Sequence, residues 1–326
     1  MKSPNAVSIA AAFAVALTAG IAAAQNYPSK PVSFVVPFAA GGPTDIVARS
    51  LAAAMEKPLG GPVIVENKAG AGGTIAAADV ARAAPDGYRL LVHHIGMSTQ
   101  PALYRKLSFN SITDFQPIVL INDVPMTLLA KLDFPAKDIR ELIAYVKQNA
   151  AKITLANAGI GSASHLCGLM FMSALDQQLT PVPYKGTAPA MTDLMGGQVD
   201  ILCDQTTNTT QQIKSGKVKA YAVTTAERIP TFPDLPTTKE GGLPSLQVGV
   251  WHALYAPKNT PKPIVDKLVQ AAQAALADEG LKKRFADLGA ILYPVAQQTP
   301  EGVAAKLKSE IDRWTPIIRK AGIYAD

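Results

Sequence analysis

The chain has 326 residues, of which 48% are apolar and 17% are charged. This length accommodates two domains of ordinary size, and this composition excludes a disordered or a fibrous chain. The formal net charge of +6 is mild. Because the basic residues are scattered, with no aromatic residues alternating among them, we expect no nucleic-acid partner.

The first 24 residues are typical of a secretory signal peptide. Lys2 precedes an alanine-rich apolar run, and Ala22 and Ala24 form an A-x-A cleavage pattern before Gln25. A membrane anchor is the alternative, but the run is short and lacks a basic stop sequence. The sequence therefore predicts export and a soluble mature protein outside the cytoplasm.

Strand and helix patterns alternate from residue 32 onward, which is typical of βα units and parallel sheets. The first series has predicted strands at 32–38, 63–68 and 88–94 and predicted helices at 45–60 and 74–87.

A second series of the same kind follows a connecting stretch at 124–138. Its predicted helices are 139–150, 164–175, 188–198 and 208–216, and its predicted strands are 153–158, 180–184, 199–204 and 218–225. Residues 227–246 are rich in proline and glycine and too long for a tight turn, so we expect them to wrap around the surface. The last predicted elements are a strand at 248–257 and helices at 261–278, 279–289 and 300–321.

The simplest assembly returns the C-terminal segment to the first domain. The chain then crosses between domains twice, near 122–126 and near 248–252. This predicts one lobe formed by 25–123 with 250–326 and a second lobe formed by 124–249. Ligands favour the cleft between two such lobes.

Two strand-to-helix junctions share one design. In the first, "PFAAGGP" at 37–43 places glycines and a proline where a helix begins, and in the second "NAGIGSAS" at 157–164 places glycines before a serine cap. The free amides and the dipole of a helix start attract an anion. Neither loop has the lysine of a P-loop or the full spacing of a dinucleotide site, which disfavours phosphate.

Four side chains near these junctions have competing interpretations. Asp45 either caps the dipole of the first helix, the default role, or accepts a hydrogen bond from a ligand N–H or a bridging water. His165 either pins the second loop, which we favour, or donates to a carboxylate. Tyr184 and Lys185 follow a strand and lie near the cleft, where Lys185 is either a partner for a carboxylate or an ordinary exposed lysine.

Catalytic and metal sites have weaker support. Ser162 or Ser164 can be assembled with His165 and Asp204 into a triad, but no G-x-S-x-G elbow is present, so a periplasmic serine hydrolase using Ser162 and His165 is only the alternative. The remaining histidines have no metal-ligand spacing with cysteine or acid, so we expect no metal and no other cofactor.

The two cysteines, Cys167 and Cys203, are too few for a disulfide framework. They could pair in an oxidising compartment, but the favoured interpretation is two unpaired buried thiols.

Several segments together resemble the Bug, or tripartite tricarboxylate transporter, solute-binding receptors of proteobacteria. They include "PFAAGGPTD", "VENKAGAGGTIAAADVARAAPDGY", "GSASHL", "VPYKGTAPAMTDLMGGQVD" and "PKPIVDKL". The likeness runs from about residue 27 to the C-terminus. It implies a two-lobed periplasmic binding protein of the Venus-flytrap type. This is an α/β fold in which each lobe is a mostly parallel sheet flanked by helices and two hinge crossings join the lobes.

The resemblance also implies that two loops, 38–45 and 159–165, hold a ligand carboxylate, partly through ordered water. Two segments depart from the family pattern: "HHIGMSTQPALY" places His94 and Gln100 near the cleft, and "CDQTT" follows the strand that ends at 203. Both departures lie where ligand specificity is set, so the ligand cannot be taken from the family.

We therefore expect a receptor without catalytic turnover that closes on a small carboxylate and is monomeric. A membrane transporter or a sensor kinase then reads the closed form, and the sequence does not separate these two partners. The residues expected at the ligand site are Phe38, Ala40, Gly41, Gly42, Asp45, His94, Gly159, Gly161, Ser162, Ser164, His165, Tyr184, Lys185 and Asp204.

Overall fold

The structure is a computed structural model and describes residues 27–322 and 324–325. The predicted signal peptide lies outside the described residues. Within them the strands are β1 (Val32–Val36), β2 (Val63–Asn67), β3 (Arg89–His94), β4 (Phe115–Ala130), β5 (Thr154–Asn157), β6 (Thr180–Pro183), β7 (Ile201–Gln205), β8 (Lys219–Val223), β9 (Gly249–Pro257) and β10 (Ile291–Leu292). The helices are α1 (Pro43–Leu59), α2 (Thr74–Ala81), α3 (Gly96–Leu103), α4 (Ile139–Asn149), α5 (Ala163–Leu175), α6 (Thr187–Met195), α7 (Thr206–Lys214), α8 (Lys262–Ala277), α9 (Glu279–Asp287) and α10 (Pro300–Ala321).

The strands form two sheets that share strand β4. In the first sheet β2, β1 and β3 run parallel, β9 is antiparallel to β3, and β4 is antiparallel to β9. In the second sheet β7 and β8 pair antiparallel with β4, while β5 runs parallel to β7 and to β6. The strand order is therefore β2-β1-β3-β9-β4-β7-β5-β6, and the predicted two-lobed α/β fold is confirmed.

Strand β4 changes partners along its length. Phe115–Pro125 pairs with β9, whereas Met126–Ala130 pairs with β7 and β8. The chain thus passes from one sheet to the other inside a single strand, and it returns where Val248 leads into β9. The predicted crossings lie at this junction, and the predicted lobe boundaries stay a prediction.

The core is continuous through this junction. One cluster of buried apolar side chains contains Val35 and Leu91 of the first sheet, Leu128 of β4, and Trp251 and Trp314. Trp314 is on α10, which packs on β4. The two sheets therefore share packed side chains where the chain crosses between them. Among the described residues no helix is long and apolar enough to cross a membrane.

Two elements escape the sequence patterns. The first half of β4 lies in a stretch without clear alternation, because its residues are buried on both faces as far as Val124, except Gln116, Pro117 and Asp123. The second half, 124–130, belongs to the predicted connecting stretch, and that prediction is wrong because these residues are also buried in the sheet. Helix α3 begins with Gly96 and contains Pro101, and both residues disfavour a helix. Packing against α10 overrides this local preference. Residues 227–246 contain no helix or strand element, as the sequence predicts.

Cys167 and Cys203 form a disulfide that joins α5 to β7, with Cα atoms 6.1 Å apart. The interpretation of two unpaired thiols is therefore wrong. The apolar surroundings of both residues fit a buried thiol and a buried disulfide equally, so only the packing of α5 on β7 decides between them.

Candidate functional site

The first junction connects β1 to α1. Gly41 has a φ of +78°, a conformation that suits glycine, and Gly42 is extended immediately before the helix. Pro43 is the first residue of α1, where its missing N–H removes no intrahelical hydrogen bond. At the start of the loop, the buried Phe38 ring stacks on His94 with ring centroids 4.8 Å apart. Packing therefore fixes both ends of this loop.

Asp45 holds the first loop in place. Its Oδ2 accepts hydrogen bonds from the Gly41 amide and from Arg49 Nε, both at 2.9 Å. Its Oδ1 accepts from Asn67 Nδ2 at 2.8 Å, and the same Asn67 group donates to the Phe38 carbonyl at 3.0 Å. The carboxylate is buried, and its hydrogen bonds connect the loop to the neighbouring strand β2. These contacts match the interpretation in which Asp45 organises the helix start, and its role as a ligand acceptor stays a prediction.

The second junction connects β5 to α5 and is held by two serines. Ser162 caps the helix, since its Oγ accepts the amide N–H of His165 at 3.2 Å. Ser164 Oγ accepts the amide N–H of Ala158 at 2.8 Å, and the two hydroxyl oxygens lie 3.1 Å apart. Both side chains are buried. The hydroxyls thus shape the loop from inside.

The two helix starts line one narrow cavity between the sheets. Within the described residues four helices begin at its wall: α1, α5, α6 and α7. The first amides of each helix lack intrahelical acceptors, and the helix dipoles add positive potential at the same place. The cavity is therefore suited to an anion. Its lining residues are Phe38, Pro43, Thr44, His94, Ala158, Ser162, Ala163, Ser164, Thr187, Asp204 and Gln205.

Five of the predicted residues line this cavity: Phe38, His94, Ser162, Ser164 and Asp204. Of the other six, Pro43, Thr44 and Ala163 lie inside the two predicted loops, whereas Ala158, Thr187 and Gln205 were not predicted at the site. The strand-to-helix signal that marks the two junctions recurs where Gly186 precedes α6 and where β7 runs into α7. Applying it there would have found Thr187 and Gln205.

The remaining predicted loop positions contribute backbone rather than cavity wall. Ala40 and Gly41 are exposed, and Gly41 borders a separate groove beside α7 and α9. Gly42 precedes the first lining residue of α1. Gly159 and Gly161 have φ values of +94° and +85°, which glycine adopts without strain.

Three predicted side chains point elsewhere. The Tyr184 hydroxyl donates to Asp193 Oδ2 at 2.6 Å, and its pKa is raised to about 12 by burial and by that carboxylate. Lys185 is exposed, but its carbonyl accepts the Ala39 amide N–H at 3.0 Å, which joins the first junction to the second sheet. His165 lies in a different pocket behind α5.

The hydrolase alternative has no geometric basis. The ring Nδ1 of His165 accepts the amide N–H of Gly161 at 3.4 Å, and only the backbone amide of His165 bonds to Ser162. Asp204 Oδ2 accepts from Asn208 Nδ2 at 2.6 Å. Burial lowers the pKa of His165 to about 4. His165 therefore pins the loop and does not activate Ser162.

His94 presents a donor at the cavity. Its Nδ1 accepts the amide N–H of Gly96 at 2.9 Å, so the proton of the neutral ring is on Nε2. Burial lowers the pKa of His94 to about 3. The adjacent His93 is also buried, and its Nδ1 accepts the His94 amide N–H at 2.7 Å. The described residues contain no group of side chains that could hold a metal ion.

A hydrogen-bond relay sets the direction of the Thr44 hydroxyl. His252 Nδ1 is 3.0 Å from Asn122 Oδ1, which can only accept, so this ring nitrogen is the donor. His252 Nε2 then accepts the hydroxyl proton of Thr44 over 3.3 Å. The Thr44 oxygen keeps its lone pairs and acts as an acceptor at the cavity wall.

Asp204 and Gln205 close the opposite wall. Burial raises the pKa of Asp204 to about 6, although the hydrogen bond from Asn208 works in the other direction. Asp204 Oδ1 and Gln205 Oε1 have no hydrogen-bond partner among the described residues. The wall formed by the second sheet therefore carries acceptors beside the helix starts.

Two α/β lobes that meet at a cavity lined by helix starts from both define a solute-binding protein of the Venus-flytrap class. Residues 47–323 match the family described as "Tripartite tricarboxylate transporter family receptor". The chain belongs to this family, which includes the Bug receptors.

Similar proteins cover nearly the whole chain. A UPF0065 protein of Agrobacterium vitis is 51% identical over 316 residues, which is 95% of this chain and 91% of the relative. The structure of the periplasmic binding protein BugD is 58% identical with a TM-score of 0.90, covering 91% of this chain and 99% of that one. MatC from Rhodopseudomonas palustris, solved with bound malate, is 44% identical with a TM-score of 0.87, covering 90% and 100%. An R. palustris protein solved with adipate is 32% identical with a TM-score of 0.86, covering 91% and 99%.

These proteins are solute-binding receptors and not enzymes. The expectation of a receptor of this family without catalytic turnover is therefore confirmed, and the serine hydrolase is not supported. The structural neighbours include periplasmic binding proteins with carboxylates bound.

Proposed function

We propose that this chain is a periplasmic receptor that closes its two lobes on a small organic carboxylate. The observation that supports this most strongly is the convergence of four helix starts on one cavity. Among the described residues, no lysine or arginine lines that cavity. Backbone amides and helix dipoles, rather than a cationic side chain, then stabilise the ligand carboxylate.

The two junctions act as opposed pincers in this proposal. Residues 38–45 approach the carboxylate from the first sheet and residues 159–165 approach it from the second. Closure places Ser162, Ser164 and the Nε2–H of His94 around the ligand, and ordered water completes the contacts. Asp45 and His165 hold the two loops in shape without contacting the ligand.

The solved relatives support the ligand class. The two R. palustris proteins were solved with malate and with adipate, and both ligands are dicarboxylates. Neither compound is assigned to this chain, because the lining residues Gln205 and His94 lie in segments that depart from the family pattern.

Location and partners follow from the same proposal. Residues 1–24 direct export to the periplasm, where the receptor acts as a monomer. Lobe 1 comprises 25–123 with 250–326, and lobe 2 comprises 124–249. The closed form is read either by the membrane subunits of a tripartite tricarboxylate-type transporter or by a sensor kinase.

Calorimetry on ligand-free protein tests the ligand class. The protein is unfolded without reductant, so that the disulfide persists, and is then dialysed and refolded. Mono- and dicarboxylates of two to seven carbons are titrated beside the matching neutral amides, such as succinate beside succinamide. We expect at least one acid to bind about 10-fold or more tightly than its amide, because only the acid is stabilised by the helix dipoles.

Native mass spectrometry of the protein as purified provides an independent measurement, since a retained acid identifies its own class by mass. Equal affinity of acids and amides would contradict recognition by helix starts. Failure of every acid to bind or to raise the melting temperature would contradict the receptor proposal as a whole.

A further inference from the structure

Two buried acceptors at the cavity form no hydrogen bond within the described residues, and the Thr187 hydroxyl beside Asp204 is unpaired as well. Asp204 and Gln205 are consecutive residues at the end of β7, and their side chains are 1% and 3% exposed. Both line the cavity. Among the described residues Asp204 Oδ1 and Gln205 Oε1 form no hydrogen bond, although Asp204 Oδ2 is bonded to Asn208. A buried acceptor without a partner is costly, so a ligand group that pairs with it gains affinity.

A third acceptor lies on the opposite wall. The hydroxyl proton of Thr44 is directed at His252 Nε2, and its oxygen remains available at the cavity. Acceptors therefore flank the space between the helix starts on both sides. A carboxylate satisfies the amides of the helix starts, but it has no proton to offer to these oxygens.

We propose that Asp204 and Gln205 select carboxylic acids that carry a hydrogen-bond donor, a hydroxyl or an ammonium group, close to the carboxylate. This inference rests on the proposed function and names the ligand chemistry of the same cavity. When the lobes close and exclude water, an acid with such a donor pairs the buried oxygens. A plain acid of the same length leaves them unpaired beside the charge of Asp204.

Matched triplets of acids test the selection. Each triplet differs only at the carbon next to one carboxylate: propionate, lactate and alanine; succinate, malate and aspartate; glutarate, 2-hydroxyglutarate and glutamate. Calorimetry on the refolded protein gives three affinities per chain length. We expect a hydroxyl or ammonium member to bind about 10-fold or more tightly than the plain acid in the triplet that fits the cavity.

Two variants test whether Gln205 and Asp204 cause this ligand selection. Gln205→Met keeps the length of the side chain and removes its polar atoms, so the preference for the donor-bearing acid should fall several-fold. In Asp204→Asn the amide oxygen has to accept from Asn208, which turns the new NH2 group toward the cavity. That variant should lose the preference or favour the plain acid. Gln247→Met, in a groove beside α10, is the matched control and should leave every ratio unchanged.

The outcomes separate the two hypotheses. If the plain acid binds as tightly as its hydroxyl and amino analogues at each length, the selection is wrong and the receptor proposal stands. The same holds if Gln205→Met weakens all members of a triplet equally. If no acid binds at all, the proposed function fails and this inference fails with it.

Circular dichroism checks that Asp204→Asn folds. If that variant does not fold, Gln205→Met alone provides the test. A preference for ammonium over hydroxyl that fades as pH falls through about 6 identifies the amino acids, because protonation removes the charge of Asp204.

Discussion

The hydroxyl of Tyr104 lies 2.9 Å from the carbonyl oxygen of Ile160 and 2.8 Å from that of Ala71. Ala71 begins the short turn before α2, beside the first sheet, and Ile160 lies in the junction after β5 of the second sheet. One phenol therefore links backbone segments on the two sides of the cleft. Such a hydrogen bond contributes about 1 kcal/mol net, and it exists only while the two segments are in contact.

Tyr104→Phe should weaken ligand binding about 3- to 10-fold, because it removes a bond that stabilises the closed arrangement. We expect the loss to appear mainly as faster dissociation and to be the same for every ligand. Stopped-flow dissociation and calorimetry measure both quantities. Tyr145→Phe on α4, away from both junctions, is the control. A Tyr104→Phe protein with unchanged dissociation would show that the bond does not hold the lobes together.

Gly72→Ala should block closure. A Cβ at Gly72 would lie 1.9 Å from the carbonyl oxygen of Ile160, a contact that backbone atoms cannot relieve while the two sides of the cleft touch. We expect affinity to fall 10-fold or more and small-angle scattering with ligand to show a more open particle.

The matched control for this change is Gly216→Ala. Gly216 has a φ of +65°, close to the +57° of Gly72, and a Cβ there meets no described atom within 4 Å. In both variants, alanine in this conformation lowers the stability of the fold by about 1 kcal/mol. If both lose affinity alike, backbone strain rather than a clash across the cleft is the cause.

Asp45→Ala should destabilise the protein by about 2 kcal/mol and weaken all ligands to a similar degree. The carboxylate accepts three hydrogen bonds that hold the first loop, and the variant leaves the Gly41 amide and Asn67 without their acceptor. Urea unfolding and the acid triplets measure the two effects. A loss confined to ligands with an N–H group would return Asp45 to the role of a ligand acceptor.

Acid should destabilise the protein between about pH 6.5 and 4. All four histidines are buried or nearly so, and burial lowers each pKa, to about 3 for His94 and about 4 for His165. Below pH 6.5 the unfolded chain binds protons at these residues and the folded chain does not, so the free energy of unfolding falls with pH.

Two buried carboxyl groups work in the opposite direction. Burial raises the pKa values of both Asp204 and Asp123, so each contributes stability at low pH that is lost as pH rises; for Asp204 this loss occurs as pH approaches about 6. Four histidines outweigh two carboxyls in this range. Urea unfolding at pH 7.5 and pH 5.0 should show lower stability at pH 5.0, with a smaller difference in His165→Gln. Equal or higher stability at pH 5.0 would contradict the burial of neutral histidines.

Removing the disulfide should cost about 3–4 kcal/mol of stability. The bridge joins residues 36 apart in the sequence, and the chain-entropy account assigns a loop of this size that order of magnitude. Cys167→Ala combined with Cys203→Ala and the wild-type protein in reductant should both show lower urea midpoints. If the two midpoints agree, the lost stability comes from the covalent crosslink and not from the packing of the sulfur atoms. Unchanged midpoints in reductant would mean that the bridge adds nothing to stability.

Local signals account for much of the fold. Glycines, Pro43 and the Ser162 cap mark the two helix starts without reference to the rest of the chain, since they act within one turn. Helix α3 and strand β4 could not be predicted in this way, because packing against α10 and burial between neighbouring strands stabilise them.

The sequence by itself determined that two amide-rich helix starts follow two strands, because caps and turn residues encode them locally. Only the tertiary structure decided that both starts meet at one cavity, that Cys167 bonds to Cys203, and that Asp204 rather than Asp45 offers an acceptor there. The direction of a buried carboxylate depends on partners that are distant in the chain. Asn67 and Arg49 donate hydrogen bonds to the two oxygens of Asp45, whereas Asn208 donates to only one oxygen of Asp204.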